Sequence, residues 1–368
     1  MWSVHLIRTV TGEVGPRVDA VSGSWSIELN KIESGNIKVR KSDLARWGAE
    51  WWAPWSGGVL LVHHGPDGVD RPIAAGPITG WSAETADDLT LDWAGIREIL
   101  AHRVIAQDLR FSGLSLGTIA WRVVHDMSEI KPGGSLPIVH GSPEETIADD
   151  ADHQRTYEAW NLANNGIDKR LTEISEVIGG PDIMFRPQWA DDEHTLLVWA
   201  MVHGTEGRPR IAQTWTADMD TTAPRAGLSD LSVKSEASHI VTRVWATGSG
   251  EGAGVARTYV QDLDSLRQWA PFTEKVISDN DQSDTGKLRV KAQGELAASK
   301  KMLDQLTMSM RADSVKHPVG RVQVGDAVNI TLKGWVSIPD GLHQMRLISM
   351  SGGLDEKVTL DFQQDSWQ

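Results

Sequence analysis

Alternating apolar and polar positions dominate the first hundred residues. Ser24-Trp25-Ser26-Ile27-Glu28-Leu29-Asn30 alternates at nearly every step, and Asn36-Ile37-Lys38-Val39-Arg40 repeats the pattern, the period-two signature of half-buried strands. Val4-His5-Leu6-Ile7-Arg8 has strand composition. Val59-Leu60-Leu61-Val62-His63-His64 reads as a more buried strand, closed by the turn Gly65-Pro66-Asp67-Gly68. Residues 73–103 are the most informative stretch. They read as a strand, a kink at Gly76-Pro77, a second strand to Thr85, a polar turn at Ala86-Asp87-Asp88, a third strand Leu89-Thr90-Leu91-Asp92-Trp93 and a helix start. Ser42 or Asp43 is placed to cap a short helical turn through Trp47. Five to seven short strands and one small helix over residues 1–106 predict a barrel or a sandwich.

The texture changes over residues 107–228. Ser115 is placed to cap a helix whose apolar positions Leu116, Ile119, Ala120, Val123, Val124 and Met127 recur at helical spacing. A loop rich in Pro, Gly and acids follows over residues 131–152. A second helix is expected over about 158–178, with Leu171, Ile174 and Ile178 on one stripe and Gly179-Gly180 as its stop. Asp182-Ile183-Met184-Phe185-Arg186 and Thr195-Leu196-Leu197-Val198-Trp199-Ala200-Met201 then read as paired strands, completing a small α/β domain. From Leu231 the pattern is β again. A strand over residues 238–246 runs into the Gly-rich turn 248–254, a charged helical insertion follows, clearest over 286–305, and strands return at 306–311, 327–332, 345–349 and 357–362. The strand before the insertion is expected to share a sheet with those after it.

Composition narrows the function classes. Without a run of eighteen apolar residues no membrane-spanning helix is expected, and the first eight residues lack the charged and apolar segments of a secretory signal. Zero cysteines exclude disulfides, thiol nucleophiles and Cys-based zinc sites. A formal net charge of −14 argues against a general DNA-binding surface but suits the wall of a conduit that must not hold DNA. Seventeen Trp against four Phe and two Tyr are spread along the chain, which favours packing and interfaces over one binding platform. The densest cluster is Trp47, Trp51, Trp52 and Trp55, the candidate exposed or interface aromatics.

No constellation demands catalysis. His63-His64 with Asp67 and Asp70 invites a metal, but adjacent strand residues point to opposite faces. The acidic loop 144–152 lacks the alternating oxygen ligands and central Gly of a calcium loop. The 248–254 turn lacks the Gly-Lys-Ser/Thr ending of a phosphate cradle. No Gly-x-Ser-x-Gly elbow appears, and a carboxylate pair at glycosidase spacing carries no weight among fifty acids. Lys287, Arg289, Lys291, Lys300 and Lys301 form the densest basic patch, read as a solvated helix face. No cofactor, no metal and no enzyme activity are expected.

Gly76-Pro77-Ile78, the hairpin over residues 81–93 and the run 94–103 resemble a recurrent segment of siphophage minor tail proteins, the Gp37-like group of actinobacterial phages. Val324-Gly325-Asp326-Ala327-Val328, followed by Met345-Arg346-Leu347-Ile348-Ser349 and a terminal strand, is similar to the end of the same proteins. The resemblance implies an α+β, mainly β fold. It would hold two tail-tube-like β-barrels, an intervening small α/β domain and a helical insertion in the second barrel. The boundaries would be 1–106 for the first barrel, 107–228 for the accessory domain, 229–260 plus 306–368 for the second barrel and 261–305 for the insertion. It implies a homotrimeric tail-hub ring (tail tip or baseplate) in the virion, assembled in the host cytoplasm. The tail tube and distal tail protein would lie above it and a tip or spike protein below, with tape-measure protein and DNA passing through its channel. No fused cell-wall hydrolase module is expected. The competing readings are a host-surface carbohydrate-binding distal tail component, with residues 47–55 as its platform, and a tail-associated cell-wall hydrolase.

Overall fold

The computed structural model describes residues 1–148, 153–177, 179–223, 227–236, 240–264, 271–279, 282–299 and 303–364. The chain divides into two units. The first holds Met1–Leu231, Thr307–Lys333 and Asp340–Phe362; the second holds Ser232–Leu306 with the short pieces Gly334–Pro339 and Gln363–Gln368.

Seven strands open the first unit: β1 (Trp2–Arg8), β2 (Val14–Val18), β3 (Ala20–Glu28), β4 (Ser34–Arg40), β5 (Gly57–His64), β6 (Asp70–Glu84) and β7 (Asp88–Ala94). Two short helices accompany them, α1 (Lys41–Leu44) and α2 (Arg97–Ala101). Helix α1 starts at Arg40 with no side-chain cap, so neither Ser42 nor Asp43 has the expected role. The stretch 73–103 forms as its alternation predicts, except that the kinked segment is one fifteen-residue strand. Its first half pairs with β5 (Gly58 opposite Pro77) and its second half with β7 (Ile78 opposite Trp93). Gly76 sits at the changeover, where a Cβ would lie 1.8 Å from the Ala94 carbonyl oxygen. Only glycine lets the two strands approach so closely.

The α/β layer follows. It comprises β8 (Leu109–Phe111), α3 (Leu116–Glu129), β9 (Ile138–His140), β10 (Arg155–Tyr157), α4 (Ile167–Glu176), β11 (Ile183–Trp189) and β12 (Leu197–His203). Ser115 caps α3 as expected, its Oγ accepting from the Thr118 N–H at 3.3 Å, and all six of the helix's apolar stripe residues are buried. Ser115→Ala is expected to cost about 1 kcal/mol, read as a lowered urea midpoint. The second helix is shorter than its pattern suggests. Residues 158–166 form turns because Asn165 donates from Nδ2 to the Glu158 carbonyl at 2.8 Å and accepts from Arg170, and Gly166 becomes the N-cap. Asn side chains compete with helix in this way. Strands β11 and β12 pair antiparallel, as read, with β9 added in parallel. This layer is not separately cored: Ile7, Leu60, Val62 and Ala75 belong to the same buried cluster as Ile119, Val123, Trp199 and Met201.

The remaining strands are β13 (Ala217–Asp220), β14 (Leu228–Glu236), β15 (Arg243–Thr247), β16 (Arg257–Gln261), β17 (Glu274–Ser278), β18 (Leu303–Arg311), β19 (Ala327–Leu332), β20 (Gly341–Gly353) and β21 (Lys357–Gln364). The large sheet runs β14-β18-β21-β20-β3-β4-β7-β6-β5-β1-β2, with β19 joining β20 to β13. Strands β14 and β2 end its path, and no closed barrel is found among the described residues. The late strands join the early ones directly, Ser349 opposite Glu28 and Gly353 opposite Ser24.

The second unit corrects one expectation. Of the strand expected over residues 238–246, 238–239 lie outside the described residues and 240–242 are not strand. The strand runs Arg243–Thr247 and pairs not with the strands after residue 306 but with β16 and, in parallel, β17. Helix α5 (Thr285–Ala298) covers that sheet, burying Val244, Ala246 and Val260 against Leu288, Ala292 and Leu296. The insertion is therefore part strand, and a helix rather than a second sheet face supplies the cover that β15's alternation requires. Of its basic residues, Lys291 pairs with Asp279; Lys300 and Lys301 lie outside the described residues.

Candidate functional site

The tryptophan cluster lies between α1 and β5. Ala49–Trp51 forms one 3₁₀ turn, and the Trp55 N–H donates to the Ile78 carbonyl at 2.8 Å, tying the loop to β6. Trp55 holds a left-handed φ of 67°, uncommon for a bulky side chain and sustained by packing around it. The four rings do not share a role. Trp51 lies flat on Gly15, where a Cβ would come within 2.2 Å of the ring, with the Arg8 guanidinium 5.5 Å from its centroid. Trp52 packs against Trp81 at 5.5 Å and 36°. Trp55 meets His102 edge-on at 5.1 Å. Trp47, Trp55 and Trp81 are each more than two-fifths exposed. Trp52 and Trp55 thus lie beside the second half of β6, each against a ring from another part of the chain, whereas Trp51 packs on β1 and β2.

The strand pairing also assembles a cluster that no local motif announces. With Ser3 opposite Val62, Ser3, His5 and His64 share one face of the sheet while His63 points to the other. His64 Nδ1 lies 2.6 Å from Asp70 Oδ1 and its Nε2 lies 2.9 Å from Ser3 Oγ; His5 Nε2 reaches the same hydroxyl at 3.2 Å. Trp189 donates to the Asp70 carbonyl and stacks on His194 at 4.3 Å. The order Ser–His–Asp is that of an acyl-transfer triad. Ser3 is nevertheless only 3% exposed, and its Oγ is occupied from two sides by imidazoles, so a substrate carbonyl has no line of attack at ~3 Å. The cluster works as a polar clasp between β1, β5 and β6.

His63, on the opposite face, packs at 4.9 Å against Trp2. Burial, with the neighbouring N-terminal ammonium, pushes its pKa down to about 4, so it stays neutral at pH 7. The adjacent histidines thus face apart, as strand geometry requires. A second pair, His140 and His203, meets Nε2 to Nε2 at 2.8 Å, and Trp121 stacks on His140 at 4.4 Å and 3°. His203 Nδ1 donates to the Gly204 carbonyl, leaving its Nε2 as acceptor for a neutral His140. Burial first, then His203, holds His140 down at about 4. Among the described residues no three His, Asp or Glu side chains group to hold a metal.

Of the acidic loop, Glu144 pairs with Arg122 at 2.8 Å and Glu145 accepts from the Glu206 N–H; residues 149–152 lie outside the described residues. The Gly-rich turn links β15 to β16 as a hairpin, without a following helix to cradle phosphate. Sequence reasoning singled out His64 and Asp70 but missed Ser3 and His5, which β1–β5 register brings to them across 61 residues, a signal no short motif carries.

No family model matches the sequence, and no curated protein matches it. Solved structures do match the fold over its whole length. A tail protein from Neisseria meningitidis MC58 superposes with a TM-score of 0.58 at 14% identity, covering 99% of this chain and 97% of that one. The 43 kDa tail protein of prophage MuSo2 from Shewanella oneidensis gives 0.57 at 10% identity, covering 99% and 98%. The prophage tail protein gp18 from Listeria monocytogenes EGD-e gives 0.53 at 9% identity, covering 100% and 95%. The chain has the mostly β, α+β fold of phage tail proteins.

Proposed function

We propose that this chain is a structural, non-enzymatic subunit of a phage tail hub and that it acts in the virion as a homotrimeric ring. The observation that carries the reading is the agreement of fold along nearly the full length of both chains with tail proteins. The narrower placement in the Gp37-like group of siphophage minor tail proteins rests on the segments 73–103 and 324–349. In this reading the strands of residues 1–106 and those after residue 306 act as tube-like walls beneath the tail tube and distal tail protein. Residues 107–228 buttress them, and a tip or spike protein follows below. Barrel closure, absent within one chain's described residues, would be completed between subunits. The channel passes tape-measure protein and DNA without binding them, which the net charge of −14 favours by repelling phosphate.

The cluster of Trp47, Trp51, Trp52 and Trp55 serves here as subunit interface. Partly exposed rings backed by their own chain's side chains, Trp52 by Trp81 and Trp55 by His102, suit packing against a second protein surface. Native mass spectrometry of the purified chain is expected to give a species of three times 40.3 kDa, lost on replacing Trp47 and Trp55 together by Ser. A stable monomer at high concentration that does not assemble on tail tubes would overturn the reading.

A further inference from the structure

The second unit carries an unusual sheet face. One side of β16-β15-β17 is covered by α5. A sheet covered on one side ordinarily turns polar residues outward on the other. Here the open side presents Trp245 directly opposite Tyr259 on one neighbour and Val276 on the other, with Phe272 at the margin. Tyr259 is 46% exposed, Phe272 50% and Val276 62%.

Arg243 organises the rings. Its guanidinium lies 4.6 Å from the centroid of Phe272, 4.8 Å from Tyr259 and 5.8 Å from Trp245. It also donates to Gln261 Oε1 at 2.7 Å and to Glu274 Oε1 at 3.2 Å. Glu274 Oε1 accepts in addition from Trp245 Nε1 at 2.7 Å. The aromatic side chains are thus held in place by cation–π and hydrogen bonds before anything docks, which lowers the entropy lost on binding. The central charge is cancelled within the patch, while Arg257 stands at the strand end beyond the rings.

We infer that this face binds a neutral sugar chain. Trp245 and Tyr259 are tilted 48° to one another, and the faces that Arg243 leaves uncovered suit the apolar C–H faces of successive pyranose rings. The remaining lone pairs of Gln261, Glu274, Thr247 and Ser278, already bonded within the patch, suit hydroxyl donors. With Arg243 neutralised by Glu274, Arg257 is the one basic residue left on this face among the described residues, fewer than the several phosphate or carboxylate contacts that hold an anionic polymer. Size argues against a protein as sole occupant. Three strands of five residues span roughly 16 by 14 Å, about a quarter of the ~800 Å² per partner that a stable protein interface needs. A few linked sugar rings fill such a patch. The inference goes beyond the hub reading and stands or falls separately from it.

The test is calorimetric titration of the full chain with chitohexaose, cellohexaose and maltohexaose. At least one is expected to bind. Tyr259→Ala and Phe272→Ala, both half-exposed positions, should each weaken that binding at least tenfold with an unchanged thermal transition. Trp160→Ala, an exposed tryptophan of the first unit, should leave it unaltered. Three results would overturn the inference. The first is no heat with any of the three sugars at about 5 mM, enough to load a millimolar site. The second is binding that survives both substitutions, or that is lost instead in Trp55→Ala. The third is concentration-dependent self-association abolished by Tyr259→Ala, which would assign the face to a second copy of the chain.

Discussion

Gly76→Ala is expected to destabilise the first unit by about 4 kcal/mol or more, at the upper end of what single substitutions do. The added methyl would sit 1.8 Å from the Ala94 carbonyl oxygen and 2.9 Å from the Gly95 Cα. Both obstacles are backbone, so no rotamer change relieves them, and Ala94 cannot retreat without breaking the pairing of β4 with β7, where it faces Ser34. Gly80 supplies the control. It lies four residues further along the same strand, with nothing within 4 Å of its would-be Cβ, so Gly80→Ala should stay within about 0.5 kcal/mol of the wild type. Urea denaturation followed by circular dichroism reads both. A Gly76→Ala protein within 1 kcal/mol of wild type would show that the strand changeover does not depend on this contact.

The second large effect concerns Glu33. This carboxyl is buried beside Gly95, Oε2 has no hydrogen-bond partner, and it borders a cavity of about 40 Å³. Burial raises its pKa from 4.5 to about 7. Nearby Arg97 compensates only in part, because its guanidinium is committed to Asp168, to the Asn30 carbonyl and to Thr172. The sign follows from proton binding. Below pH 4.5 the group is protonated folded and unfolded alike, and burial carries no ionisation penalty. As pH rises from there to about 7 the unfolded chain gives up its proton and the folded chain keeps it, so stability falls; beyond 7 the loss levels off near 3 kcal/mol. Glu33→Gln should remove this slope. Urea midpoints at pH 5, 6, 7 and 8 are expected to show the variant gaining on the wild type as pH rises, by about 2 to 3 kcal/mol at pH 8. Parallel curves for the two proteins would rule out a buried, proton-retaining Glu33.

The local parts of this fold were readable and the distant pairings were not. Residues 73–103 announced their hairpin and helix start because period-two alternation is a local signal, whereas the Gly-Pro step marks a change of partner within one strand rather than a break between two. Ser115 and the α3 stripe were legible for the same reason. Of the strand read over residues 238–246, Arg243–Ala246 is strand, with partners other than those expected. Its inward residues Val244 and Ala246 need an apolar cover, and a helix meets that need as well as a second sheet would. The tryptophan cluster was visible as composition, yet the features that set each ring's role, Arg8 over Trp51 and His102 beside Trp55, come from β1 and from the end of α2. The aromatic face of the second unit escaped notice because Trp245, Tyr259, Phe272 and Val276 become neighbours only through pairing across the Gly-rich turn and the segment that follows.

The pairing of β20 with β3 has a bearing on how the chain is made. Glu28 waits for Ser349, roughly 320 residues downstream. At ribosomal speeds of about 5–20 residues per second that interval is roughly a quarter of a minute to a minute. Throughout it β3 offers an unpaired edge on an otherwise formed hairpin layer, the kind of template that recruits foreign strands. Chains emerging from one message each carry the same β20, so a neighbour's copy is the natural competitor for that edge. Yield of correctly folded protein should therefore depend on ribosome spacing and translation rate as much as on the stability of the finished fold.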